Sequence, residues 1–395
     1  MDRIKELVRK YQDVVTKYRR DIHKHPELAY KESRTSAKVA EVLESLEIKT
    51  QRNIGKTGVV GILEGGKPGK VIALRADMDA LPMEEETNLS FASINKGVMH
   101  ACGHDIHTSI LLGCAHVLSE MKEEIPGTIK FVFQPAEENN PIGGASGMIQ
   151  DGVLENPKVD AMMALHVWPH LEVGTAAIKE GAMMGASDRI FITIKGKSSH
   201  GSAPEDGIDA IAIAGNVISV LQTIVSRNVG PLDSSVISIG KIYGGSRYNV
   251  IADKVVLEGT VRNLNPKIRN KMSERIEDVV KGITSAMGGD YEFEYVKGYP
   301  PVINDRALTN LVYHSLKEIL GEGAIISDKP ALGGEDFAFF SEKLPTAYFW
   351  LGVRPKDISF ENFAPIHNPK FSPDEKAIPI GIEVLVKAAC NFLNQ

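Results

Sequence analysis

Val71-Ile72-Ala73-Leu74-Arg75-Ala76-Asp77-Met78-Asp79 is an apolar run that closes on two acids. Val71 to Leu74 reads as a strand, and Asp77 and Asp79 lie just past its carboxyl end. The pattern recurs downstream. Thr128 to Phe133 reads as a strand followed by Glu137-Glu138, and Ala161 to Leu165 as a strand followed by His166. Val59 to Leu63 is a further strand, Thr108 to Met121 an amphipathic helix, and Ala145 to Asp151 a helix start. Strands alternating with helices predict an α/β layer fold with a mostly parallel sheet. Ligands of such sheets bind beyond the carboxyl ends of the strands, where these acids and this histidine fall.

From Asp188 to Lys297 the rhythm changes. Arg189 to Lys195, Ser235 to Ile242, Lys254 to Val261 and Tyr291 to Val296 read as strands. Ile208 to Val225 and Lys267 to Met287 read as helices. The order β-α-β-β-α-β is that of a ferredoxin-like unit, inserted between Gly- and Pro-bearing flanks. The expected division is a discontinuous catalytic, metal-binding domain at 1–184 and 298–395, interrupted by an insert at 185–297. Leu311 to Leu320, Ala347 to Leu351 and Ile378 to Leu393 resume the first domain.

With 395 residues, 43% hydrophobic and 24% charged, the chain has the balance of a globular protein of two domains. A net charge of −6 gives no reason to invoke nucleic acid or an anionic membrane. No apolar run is expected to reach the roughly 20 residues that span a bilayer. The charged, amphipathic start Met1-Asp2-Arg3-Ile4-Lys5-Glu6 is unlike a secretory signal. Three cysteines make no disulfide framework. Cys114 and Cys390 sit in apolar helical patterns, whereas Cys102 has polar company. A cytoplasmic enzyme is expected.

That polar company is His100-Ala101-Cys102-Gly103-His104-Asp105-Ile106-His107. Thiolate and imidazole suit zinc and neighbouring divalent metals. Cys102 and His104, with Glu138, His166 and a later His367, suggest a binuclear site, since two metals can clamp both oxygens of a hydrolytic step. A lone strand-end histidine is more often a hydrogen-bonded structural residue, but five donors in one layer argue against that. Of the adjacent Glu137 and Glu138, one serves best as ligand and one as general base. Spacing leaves their order open.

Several long runs carry a resemblance. They are Arg20-Asp21-Ile22-His23-Lys24-His25-Pro26-Glu27-Leu28, Leu74 to Pro82, Met99 to Asp105, Phe133-Gln134-Pro135-Ala136-Glu137-Glu138, Ser199-His200-Gly201-Ser202-Ala203-Pro204, and Gly333-Gly334-Glu335-Asp336-Phe337. With them the chain resembles the M20 metallopeptidase and amidohydrolase family, in its branch of aminoacylases, hippurate hydrolases, auxin-conjugate hydrolases and thermostable carboxypeptidases. The resemblance implies that Cys102, His104, Glu138, His166 and His367 bind two divalent ions per subunit, that Glu137 is the base, and that Asp79 orients a ligand. Where many members carry a ligand histidine and a bridging aspartate, this chain has Asp77 and Cys102. Metal identity is thereby left among zinc, manganese, cobalt and nickel. The resemblance also implies that the insert is a lid and dimerisation domain. Its His200 would reach the partner subunit's site to stabilise an oxyanion, and Asn249 and Arg262 would anchor a substrate carboxylate.

The resulting expectation is a metal-dependent amidohydrolase of N-acyl-L-amino acids, acting as a homodimer or higher homo-oligomer through the insert. A carboxypeptidase on short or N-blocked peptides is the alternative. A non-catalytic binding protein would lack Glu137 or a ligand, and a structural zinc site would show closed four-ligand Cys/His spacing. Neither pattern is present.

Overall fold

The computed structural model describes residues 2–327 and 329–395. The chain forms two compact units. The first is Met1–Met183 with Val302–Lys329 and Asp336–Gln395; the second is Met184–Pro301 with Pro330–Glu335. The segment Pro330–Glu335 has no counterpart in the insert expected at 185–297.

In chain order the first unit opens with α1 (Asp2–Lys24), α2 (Ser33–Ser45), β1 (Lys49–Ile54), β2 (Gly58–Glu64), β3 (Lys67–Asp77), α3 (His104–Glu120), β4 (Pro126–Gln134), α4 (Ala145–Gln150), β5 (Ala161–Glu172), β6 (Ala176–Ala177) and β7 (Gly181–Met184). The second holds β8 (Ala186–Lys195), α5 (Ala210–Asn228), β9 (Ser235–Gly244), β10 (Lys254–Asn263), α6 (Pro266–Ala286) and β11 (Asp290–Tyr299). The chain returns through β12 (Val302–Asn304), α7 (Arg306–Leu320), α8 (Ala338–Ser341), β13 (Thr346–Arg354) and α9 (Ala377–Leu393).

The large sheet of the first unit has the order β1-β2-β4-β3-β5-β13-β6. Its centre, β4-β3-β5-β13, is parallel. β2 and β6 pair antiparallel with β4 and β13, and β1 antiparallel with β2. Central strands covered on both faces are apolar throughout, and β2 and β4 are buried along nearly their whole length. α3 and α9 pack over the sheet with α1. They come close because Gly113 and Gly381 carry no side chain. A Cβ on Gly113 would lie 2.3 Å from Ile382 Cδ1, and one on Gly381 2.5 Å from Ile110 Cδ1.

Two boundaries differ from the sequence reading, and both matter to the site. β5 does not stop at Leu165; its pairing with β13 carries it on, so His166 lies inside the strand opposite Trp350. α3 starts at His104 rather than Thr108, after Gly103 in the left-handed region (φ 85°). This puts His104, Asp105 and His107 in the first helical turn.

The second unit is an antiparallel sheet of order β11-β8-β10-β9 with α5 and α6 packed against it, the ferredoxin-like arrangement. Ile190, Ile192 and Ile194 of β8 alternate onto the helices and meet Val217 and Leu221 of α5 and Met272 and Ile276 of α6. α5 is long and apolar enough to cross a membrane, contrary to the expectation that no run would be. One face of it, Ala210, Ile213, Ala214, Val217, Leu221 and Ile224, is buried in the unit. The fully buried Asp188 accepts hydrogen bonds from Arg269 Nη2 at 2.7 Å, the Tyr295 hydroxyl at 2.7 Å and Gly298 N–H at 2.9 Å. Removing one partner of a buried ion pair leaves the other charge uncompensated. Arg269→Ala should therefore destabilise this unit by about 3–5 kcal/mol, read as a lower chemical-denaturation midpoint. An unchanged midpoint would show that Arg269 is not the anchor.

Candidate metal centre

Past the carboxyl ends of β3 and β4 and beside His166 within β5, three overlapping groups of donor atoms gather. Cys102, His104 and His166 form one group, Cys102, Glu138 and His367 another, and His104, Glu137 and Glu138 a third. Within each group the atoms lie inside 4.8 Å of one another. All five predicted ligands and Glu137 thus fall in one place. Cys102 Sγ is 3.4 Å from His166 Nε2, and His367 Nε2 is 3.0 Å from Glu138 Oε1. Cys102, His104, His166 and Glu137 are buried, while His367, in the left-handed region (φ 61°), is half exposed at the rim.

Hydrogen bonds set the imidazole tautomers. His104 donates from Nδ1 to the Asp79 carbonyl at 2.8 Å, and His166 from Nδ1 to the Val167 carbonyl at 2.7 Å. In the neutral ring each therefore presents an Nε2 lone pair to the cluster, the arrangement metal-bound histidines use. His104 Nε2 is buried and finds no hydrogen-bond partner among the described residues. His107 faces the other way. It donates from Nδ1 to Asp77 at 2.6 Å, and its Nε2 accepts from Val167 N–H at 2.9 Å.

The turn carrying the two glutamates is held from behind. The Asp79 carboxylate accepts from Glu137 N–H at 2.9 Å and Glu138 N–H at 3.0 Å, and its Oδ1 lies 3.4 Å from His104 Nδ1. Asp336 N–H reaches Glu137 Oε1 at 3.4 Å. The Asp336 carboxylate, fully buried, accepts from Arg75, Gln134, Gly144 N–H and Ala145 N–H. Arg75 also pairs with Asp77 at 2.8 Å.

The field of the site is negative. Burial, together with the carboxylates of Glu138, Glu137 and Asp77, pushes the Cys102 thiol well above its ordinary range. Burial alone would lower the His104 pKa, but Asp77, Asp79 and Glu138 outweigh it and push it up to about 10. A thiol, imidazoles and carboxylates in a negative field, with a buried imidazole nitrogen left without a hydrogen-bond partner among the described residues, fit divalent cations of the zinc type.

His200, Asn249 and Arg262 belong to the second unit. His200 is exposed and bridges to Val250, beside Asn249, whose carbonyl accepts from Gly201 N–H at 2.9 Å. Ser202 N–H donates to His200 Nδ1 at 3.1 Å, so in the neutral ring Nε2 carries the proton and is the donor. Asn249 Oδ1 is buried and has no hydrogen-bond partner among the described residues. Arg262, half-buried on β10, stands between Ser187 and Val236 of the neighbouring strands.

Glu32, Arg75, Gln134 and Asp336 were not singled out from the sequence. For Arg75 and Gln134 a signal existed, since a charged or amide side chain ending a buried strand needs a partner. Glu32 follows no pattern and is joined to the turn only by the fold.

The sequence of residues 73–391 matches the model of peptidase family M20/M25/M40. An N-acyl-L-amino acid amidohydrolase of Geobacillus stearothermophilus is 46% identical over 303 residues, covering 77% of this chain and 81% of that protein. Thermostable carboxypeptidase 1 of Saccharolobus solfataricus is 38% identical over 397 residues, covering 100% of this chain and 99% of that one. A Bacillus subtilis crystal structure, described as a dinuclear metal binding peptidase from M20 family, is 36% identical with a TM-score of 0.84, covering 98% of this chain and 99% of that one. With the family pattern spanning most of the chain and its donors gathered at one site, the protein belongs to peptidase family M20/M25/M40 and is an amide-bond hydrolase.

Proposed function

We propose that this enzyme hydrolyses N-acyl-L-amino acids to a carboxylic acid and a free amino acid. The observation that carries this reading is the gathering of Cys102, His104, Glu138, His166 and His367 around Glu137. These five residues would hold two divalent ions, zinc first among them, with manganese, cobalt or nickel as alternatives. When bound, the ions supply Lewis acidity to the scissile carbonyl and acidify water at the site. Glu137, buried beside the donors and oriented by Asp336 N–H, takes a proton from the attacking water as oxygen adds to the carbonyl carbon. It then returns a proton to the nitrogen as the C–N bond breaks. Asp79 fixes both His104 and the glutamate turn.

In the same reading the second unit pairs two copies of the chain. Its edge strand β9 and neighbouring loops expose Ile242, Tyr243, Leu232 and Tyr248, an apolar surface of the kind that marks interfaces. His200 of one copy serves the site of the other, offering Nε2–H to the oxyanion. Arg262 and Asn249 receive the free carboxylate of the substrate. Free thiols at Cys102, Cys114 and Cys390 suit a reducing cytoplasm. The resemblance to a carboxypeptidase keeps short or N-blocked peptides as the second reading. A panel of N-acetyl amino acids, hippurate and benzyloxycarbonyl dipeptides on metal-reconstituted enzyme separates them. Turnover of the dipeptides alone would overturn the acyl-amino-acid reading.

The ligand set predicts a direct result. Cys102 must shed its proton to bind, so its loss should be felt in metal content as well as rate. Cys102→Ala should bind less metal than wild type at equal free metal, whereas Cys114→Ala, altered in the core, should bind as much. The chain's two tryptophans stack at 4.1 Å, and the Trp168 ring lies 6.1 Å from His166. Quenching of their fluorescence by cobalt therefore reports occupancy. Equal cobalt titrations of wild type and Cys102→Ala would refute the ligand role.

A further inference from the structure

Three successive backbone N–H groups of the glutamate turn end on buried carboxylates. Glu137 and Glu138 donate to Asp79, as described. The preceding Ala136 N–H donates to Glu32 Oε1 at 2.9 Å. Glu32 lies 104 residues away in sequence, ahead of α2, and is fully buried. Its carboxylate is itself held on two sides, by Tyr30 N–H at 3.0 Å and by the Thr57 hydroxyl at 2.6 Å.

Ala136 sits in the left-handed region, with φ 55°. A residue with a Cβ rarely adopts that conformation, and it persists only where the surroundings over-determine it. Here the turn has to reverse the chain leaving β4 so that two adjacent glutamates can take different tasks. Glu138 points to His367, and Glu137 to the Asp336 N–H. Asp79 grips the turn after Ala136. Glu32 grips Ala136 itself.

We propose that Glu32 is a positioning residue for this enzyme. By accepting the Ala136 N–H it holds the left-handed turn that places the carboxylates of Glu137 and Glu138. The inference rests on Glu137 being the general base. Glu32 touches neither substrate nor metal donors; it acts through the backbone of the turn. Reach and hydrogen-bond acceptance are what it supplies, and negative charge is incidental. The side-chain amide of glutamine has the same reach and keeps an acceptor oxygen for Ala136 and Tyr30, while the Thr57 hydroxyl can accept from its NH2. Aspartate keeps the charge but is one methylene too short.

The test compares Glu32→Asp, Glu32→Gln and Glu137→Gln in the full chain. A misplacement on the order of 1 Å can cost about 10²-fold in rate. Glu32→Asp should therefore lower kcat by about 10–100-fold with KM nearly unchanged. Glu32→Gln should stay within about threefold of wild type. Metal stoichiometry should stay at the wild-type value in both. In metal-free protein, amide hydrogen exchange in a peptide covering residues 133–139 should quicken in Glu32→Asp but not in Glu32→Gln. The inference is overturned if Glu32→Asp turns over at the wild-type rate. It is equally overturned if the lost rate tracks lost metal or lost folded protein, or if Glu32→Gln is as impaired as Glu32→Asp. Glu137→Gln keeps the failures apart. An active Glu137→Gln enzyme removes the base reading itself, whereas an inactive one beside a fully active Glu32→Asp removes only the role of Glu32.

Discussion

Glu137→Gln should lose about 10²–10⁴-fold in kcat, the share that general acid–base catalysis contributes, while keeping its metal. The amide keeps the size of the side chain and an oxygen to accept from Asp336 N–H, which lies 3.4 Å from Glu137 Oε1. What it lacks is a basic oxygen able to take a proton from water and return it to the leaving nitrogen. Glu138, one residue on, cannot substitute, because its Oε1 is engaged with His367 at 3.0 Å and it belongs to the donor group with Cys102. Glu138→Gln should behave differently, losing metal affinity along with rate. Stopped-flow turnover and elemental analysis on both variants decide the assignment. Near-wild-type turnover by Glu137→Gln would sink the base role, and metal loss in Glu137→Gln alone would exchange the roles of the two glutamates.

The second large effect concerns His200. Removing an oxyanion donor costs about 10²–10³ in kcat, so His200→Ala should be nearly inactive with intact metal binding. Its backbone lies in a bridge to Val250, and Ser202 N–H holds Nδ1, so the variant removes a donor aimed outward by a fixed loop. If that donor serves a partner, the two inactive variants complement each other. A Glu137→Gln subunit can lend its His200, and a His200→Ala subunit keeps its base and metals. After unfolding and refolding together, roughly half of the symmetric dimers are mixed, each with one complete site, which returns about a quarter of wild-type activity. A mixture as inactive as its parents, with subunit exchange demonstrated, would place His200 outside the partner's site. Full activity of His200→Ala would end the oxyanion role.

The two units differ in how much of them was legible in the sequence. β8, β9, β10 and β11 and the helices α5 and α6 are readable almost to their ends, because most of them bury one face against the unit's core and leave the other outward. Periods of two and of 3.6 residues therefore print directly onto the chain. The large sheet is harder. Its central strands are buried on both faces, so β5 shows no periodic mark where pairing with β13 ends, and His166 looked like a strand-end residue rather than an internal one. The antiparallel edges β1 and β6 leave no pattern that distinguishes them from loops.

For the site, the sequence by itself determined the chemistry of the donors. Cys102 offers a thiol, His104, His166 and His367 imidazoles, and Glu137 and Glu138 carboxylates, and those chemical types are fixed before the chain folds. Tertiary structure alone decided what orients them. The tautomers of His104 and His166 follow from the carbonyls of Asp79 and Val167. The shape of the glutamate turn follows from Asp79 and Glu32, and the aim of the Glu137 carboxylate from Asp336 N–H; these lie 58, 104 and 199 residues from the groups they hold. A ligand is recognised by what it is, but a positioning residue only by what it touches, and contacts between residues so far apart in sequence exist only once the sheet has assembled and brought its strand ends together.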